Sequence, residues 1–106
     1  MKHPLIQTLQ ARDDEFIALR RDLHRHPELG LHEVRTSQRI ADCLQAWGYE
    51  VHRGLACTGV VGSLRRGTGA RRLGLRADMD ALPLQETTGK PWASVHHGLM
   101  HACGHD

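Results

Sequence analysis

Apolar residues recur with helical spacing in the first half of the chain and with strand-like spacing in the second. Phe16, Leu19 and Leu23 fall at i, i+3 and i+7, one stripe of a helix. Asp13 and Asp14 stand where an N-cap belongs and Pro27 where the helix must end. A second helix is predicted to begin near residues 33 to 36. Ile40, Cys43, Leu44 and Trp47 share its apolar face, and Gly48 suits a left-handed C-terminal cap. From Tyr49 the period shortens. Tyr49, Val51 and Arg53 alternate with polar neighbours, and the runs at 59 to 64 and 72 to 77 read as two further short strands. Residues 65 to 71, rich in glycine and arginine, are expected to join those two as an exposed hairpin loop. Pro83, Gly89, Pro91 and Gly98 interrupt the stretch from Leu84 to His97, which is predicted to be irregular and surface-bound. The pattern gives an α/β fold class: two helices, then strands of a mixed central sheet.

Composition sets broad limits. The 106 residues are 40% hydrophobic and 25% charged, ordinary for about one globular domain. A formal net charge of +2 is too mild to argue for nucleic acid, and no apolar run is long enough for a membrane span or a signal peptide. Neither nucleic acid nor a membrane is expected as a partner, and a cytoplasmic location is expected. Three cysteines, Cys43, Cys57 and Cys103, form an odd set better suited to a reducing compartment than to a disulfide framework. Cys43, on the apolar stripe, is expected to pack in the core. Gly67-Thr68-Gly69 is not a dinucleotide loop, because Arg72 stands where the third glycine belongs and a strand, not a helix, should follow.

Candidate chemistry gathers towards the C-terminal end. Four of the nine histidines lie in the last eleven residues. Cys103 and His105 flank Gly104, and a thiolate and an imidazole at i and i+2 around a glycine can close on one divalent ion. A catalytic centre of this kind usually takes three protein ligands, so two do not complete it. Cys103 is open to three readings: a buried structural thiol, a nucleophile paired with His105, or a metal ligand. Ligation explains most, since it also accounts for the nearby imidazoles and the carboxylates Asp80 and Asp106. Upstream, Asp78 and Asp80 lie two residues apart at the end of the predicted third strand, where they would point to one side. There they could bind a metal or hold a ligating histidine in its working tautomer.

Three blocks, RRDLHRHPELGLHE at 20 to 33, LGLRADMDALPLQE at 73 to 86 and MHACGHD at 100 to 106, together resemble the metal-dependent amidohydrolases of the aminoacylase and carboxypeptidase superfamily. The similarity is to the branch with hippurate hydrolase, N-acyl-L-amino acid amidohydrolases and auxin-conjugate hydrolases. The resemblance implies that the chain is the N-terminal portion of a metallopeptidase-like catalytic domain, residues 1 to 106, incomplete and without the smaller dimerisation and lid domain. It implies Cys103 and His105 as the first two ligands of one or two divalent ions (manganese, zinc, nickel or cobalt) and Asp80 as an acidic residue steering the site. Asp78, His101 and Asp106 fall near the site without an assigned role. His24, His26 and Glu28 belong to the first block with no catalytic role implied. The glutamate general base and the later ligands of that family lie outside this sequence.

The implied activity is hydrolysis of the amide bond of an N-acyl amino acid, a small-molecule substrate. The chain itself is expected to be inactive, with homo-oligomers only in the full-length protein. Two rivals remain open: a small non-catalytic metal-binding module using Cys103, His105 and His97 or His101, and a thiol hydrolase built on Cys103.

Overall fold

A computed structural model describes residues 1–105. Its elements, in order, are α1 (Pro4–Gln10), α2 (Asp13–Arg25), α3 (Val34–Ala46), β1 (Glu50–Leu55) and β2 (Gly59–Ser63). The short α1 is an addition to the sequence reading. Pro4 at its first turn needs no amide partner, and the His3 ring accepts from the Leu5 amide at 3.2 Å. In α2, Asp13 and Asp14 do not cap. They lie with Glu15 inside the first turn, after an N-cap Arg12 that makes no side-chain cap bond. Their contribution is therefore through the helix dipole, which favours negative charge there.

The end of α3 forms as expected. Gly48 takes φ +87°, its amide bonds the Gln45 carbonyl, and the Tyr49 amide reaches back to the Leu44 carbonyl at 3.0 Å. These two bonds are the Schellman pattern. Its start depends on a remote group. The Glu28 carboxylate accepts from the amides of Arg35 (3.0 Å) and Thr36 (2.6 Å), so a residue outside the helix satisfies its first-turn donors. Those amide bonds also set the Glu28 titration. Burial pushes this carboxyl up, but the donors prevail and hold it below the usual range.

The deepest face of α3 is not the expected stripe. Thr36, Ser37 and Ala41 are buried, Cys43 is half-buried, and Trp47 stays 38% exposed. Trp47 packs edge-on against Phe16, with the Arg12 guanidinium near both rings. Small side chains allow the close approach that the large ones would block.

β1 and β2 make an antiparallel hairpin, with Glu50 opposite Ser63, His52 opposite Val61 and a register irregularity between Arg53 and Leu55. α3 lies against it. At Gly62 a Cβ would come within 3.1 Å of a Leu44 methyl, so a glycine is what lets the helix side chain rest on the strand.

The predicted third strand does not form. Among the described residues the sheet has two strands, and 72 to 77 carry no regular structure. The hairpin turn falls at 56 to 58, between β1 and β2, and not at 65 to 71. A strand exists only through its ladder. With no neighbour beside this segment, Leu73 and Leu75 are left 85% and 90% exposed.

The stretch from 83 to 99 is irregular, as the prolines and glycines predict, but it is anchored. Leu82 and Met100 exchange both backbone hydrogen bonds, at 2.9 and 3.1 Å, and close it into an Ω-shaped loop. One residue earlier, the Ala81 amide bonds the Glu28 carbonyl at 2.8 Å, and Leu29 and Ala81 form a parallel bridge. The buried set is mostly polar: beside Ala41, Ala81 and Pro27 it holds His24, Glu33, Thr36, Ser37 and Glu86.

Candidate metal half-site

The neck of this loop builds the site. Asp78 and Asp80 lie just before Leu82, and His101, Cys103 and His105 just after Met100. Pairing of Leu82 with Met100 therefore brings carboxylates near imidazole and thiol side chains more than twenty residues apart in sequence. Asp78, Asp80, His101, Cys103, Gly104 and His105 line one small cavity of about 20 Å³, room for a single water or small ion. His101 is half-buried, whereas both aspartates, Cys103 and His105 are exposed.

Gly104 takes φ +85°. A side chain rarely adopts this conformation, so the glycine is what turns Cys103 and His105 to one cavity. On the opposite wall Asp80 lies over the α2–α3 connection. The position a Gly30 Cβ would occupy is 3.7 Å from Asp80 Oδ2 and 3.9 Å from Glu33 Oε1. Asp78 pairs with Arg76 at 2.6 Å on the exposed side. Asp106 lies outside the described residues.

The cavity unites the two aspartates with Cys103, His105 and His101. Among the described residues, however, no three His, Cys, Asp or Glu side chains converge as a ligand set. The donor types suit a divalent ion of intermediate softness: one thiolate, imidazoles and carboxylates. Their number and spread fall short of a complete ligand set among the described residues.

The sequence reading passed over a second cluster behind the cavity. Glu86, with its side chain 2% exposed, accepts from His24 Nε2 at 2.8 Å and from the Ser94 amide at 3.0 Å through Oε1, and from the Thr88 hydroxyl through Oε2. Burial pushes the Glu86 carboxyl up, but the bonds from Thr88, Ser94 and His24 outweigh it and leave the group below the ordinary range. The His24 ring lies 6.3 Å from that of His101, so the cluster adjoins the cavity wall. The sequence signals were a histidine one residue past Leu23 of the α2 stripe and the place of His24 and Glu86 in the first two family-like blocks, without an assigned role.

These blocks are those of a known family. The family model described as peptidase family M20/M25/M40 matches residues 74–106, the segment that contains both walls of the cavity. The hippurate hydrolase of Campylobacter jejuni is 47% identical over 102 residues, spanning 96% of this chain and 27% of that protein. The N-acetyl-L-cysteine deacetylase of Bacillus subtilis is 42% identical over 92% of this chain and 24% of its own length. Among solved structures, a dinuclear metal-binding peptidase of the M20 family from Bacillus subtilis superposes with a TM-score of 0.84 at 41% identity, covering 91% of this chain and 27% of that one.

Over most of its length the chain is similar to members of the M20/M25/M40 peptidase family, and its segment 74–106 matches that family's model. The chain spans about a quarter of the length of the curated relatives it matches.

Proposed function

We propose that this chain carries the first half of the metal centre of an amidohydrolase acting on N-acyl amino acids of the hippurate kind, as the N-terminal part of the catalytic domain. The observation that carries the reading is the single cavity where Asp78, Asp80, Cys103 and His105 meet across the Leu82–Met100 neck. The names of the relatives, hippurate hydrolase and N-acetyl-L-cysteine deacetylase, support amide hydrolysis of small acylated amino acids. The 85% and 90% exposure of Leu73 and Leu75 supports a strand whose neighbours lie in the three quarters of the relatives that this chain does not match.

Cys103 and His105 would hold a divalent ion (manganese, zinc, nickel or cobalt), one or two being accommodated in the complete centre. Bound there, the ion would supply a Lewis acid for the amide carbonyl. Asp80, next to Gly30 and Glu33, contributes negative charge and orientation beside the donors. Asp78 and His101 wall the cavity and leave its mouth open to solvent. The general base lies outside this chain, so the chain binds metal without turning over substrate. The smaller domain and any homo-oligomer belong to the full-length protein. A cytoplasmic location is part of the same proposal, and among the described residues no helix is long and apolar enough to cross a membrane.

Cobalt(II) titration tests the assignment. The expected result is a near-ultraviolet thiolate-to-cobalt absorption that vanishes in Cys103→Ala and weakens in His105→Ala, with no hydrolysis of hippurate. A cobalt absorption unchanged in Cys103→Ala would defeat it, as would, in a longer form of the protein active on hippurate, hydrolysis surviving the double replacement of Cys103 and His105. Cooperative folding driven by one zinc ion would favour the small metal module instead, and a metal-independent acyl-enzyme on Cys103 the thiol hydrolase.

A further inference from the structure

The cavity's two walls are held by different parts of the chain, and what joins them is the loop between. Three contacts anchor that loop to α2: the Arg21 guanidinium 3.8 Å from the Trp92 ring centre, His24 on Glu86 at 2.8 Å, and the Val95 amide on the Arg25 carbonyl at 2.9 Å. Only the middle one pairs two buried side chains, His24 at 8% and Glu86 at 9% residue exposure. Exposed contacts of the first kind are individually weak, whereas a buried charge-assisted hydrogen bond costs much more to break. Glu86 also ties the loop to itself through Thr88 and Ser94. His24 thus touches the loop's organising carboxylate on one side and approaches the cavity wall at His101 on the other.

We propose that His24 is a positioning residue of the metal half-site: by holding Glu86 it docks the 82–100 loop on α2, and so sets the approach of Asp78 and Asp80 to Cys103 and His105. This rests on the metal reading of the cavity. The docking itself does not, and can be measured without metal.

The test uses the full 106-residue chain and its His24→Ala, His24→Gln and Glu86→Gln variants, with Ala41→Gly in α3 as a comparator that weakens the fold away from the loop. Amide hydrogen exchange is read at Leu82 and Met100 and at the β1–β2 hairpin, and cobalt(II) affinity is read from the thiolate absorption. His24→Ala is expected to lower protection at Leu82 and Met100 at least tenfold relative to the hairpin. It should weaken cobalt binding about tenfold or more, the range found when a supporting partner of a metal ligand is removed. His24→Gln, which keeps a side-chain N–H for Glu86, should restore both to within about threefold, and Ala41→Gly should show no selective loss at the neck.

Unchanged neck protection in His24→Ala overturns the proposal, as does an opened neck with unchanged cobalt affinity. Should His24→Ala fail to fold, Glu86→Gln and His24→Gln carry the same comparison. If the wild-type chain shows no cobalt absorption dependent on Cys103, the metal reading falls, and the neck amides alone then uphold or overturn the docking role of His24.

Discussion

The loop from 82 to 100 and the segment from 64 to 80 are both without regular secondary structure, yet they are opposites. The loop is closed by a backbone pair, anchored to α2 and organised around a buried carboxylate with three donors. Among the described residues the segment has no ladder partner, and it presents Leu73 and Leu75 to solvent. Irregular backbone becomes ordered when polar groups within reach satisfy it, and strand-forming backbone stays unordered when its partner is missing. The first condition is met inside this chain. The partner that the second concerns is absent among the described residues.

The contrast can be broken most severely at Glu86. Glu86→Ala leaves the buried His24 and the half-buried Ser94 amide without their acceptor, and should cost about 3 kcal/mol. Urea unfolding followed by circular dichroism measures it, and a loss below about 1 kcal/mol would mean that the loop is held some other way.

Acid applies a milder form of the same perturbation. Glu86 and Glu28 are both held below the ordinary carboxylate range, so each binds fewer protons folded than unfolded. The stability they contribute is fully present above the unfolded value of about 4.3 and is lost as pH falls through their lower folded values. Urea midpoints should stay level from pH 7 to about 5 and then fall. In Glu86→Gln the fall should be shallower.

A smaller effect is expected at Gly104, whose φ of +85° a side chain resists. Gly104→Ala should cost about 1 kcal/mol of local strain and weaken cobalt binding several-fold. Thermal melting of the rest of the chain should not move. The smallest change is expected in the segment. Replacing Leu73 and Leu75 by lysine should alter stability by no more than about 0.5 kcal/mol while reducing aggregation in light scattering. A loss above 1 kcal/mol would show that the segment is packed after all, and the contrast would disappear.

Much of this was legible from sequence where the cause is local. α2 follows from the spacing of Phe16, Leu19 and Leu23, and β1 from the alternation at Val51 and Arg53. Gly48 supplies the left-handed cap and Gly104 the bend between Cys103 and His105. The motifs marked Asp78, Asp80 and the terminal cluster as candidates, and all line one small cavity. α1 had its own unused signal, a proline following a residue able to cap.

Other features had no local cause to read. The strand at 72 to 77 has the right alternation, but alternation cannot supply a partner. That Glu28 caps a helix it does not belong to, and that Glu86 of an irregular loop is buried against His24, depend on contacts eight and sixty-two residues apart along the chain. The sequence alone determined which side chains could chelate an ion and where the backbone must bend, because steric preference and donor chemistry belong to single residues and their neighbours. Only the tertiary structure decided that Asp80 and Cys103 share a cavity and that His24 stands behind it, because distances between remote residues are set by how the loop closes and what anchors it.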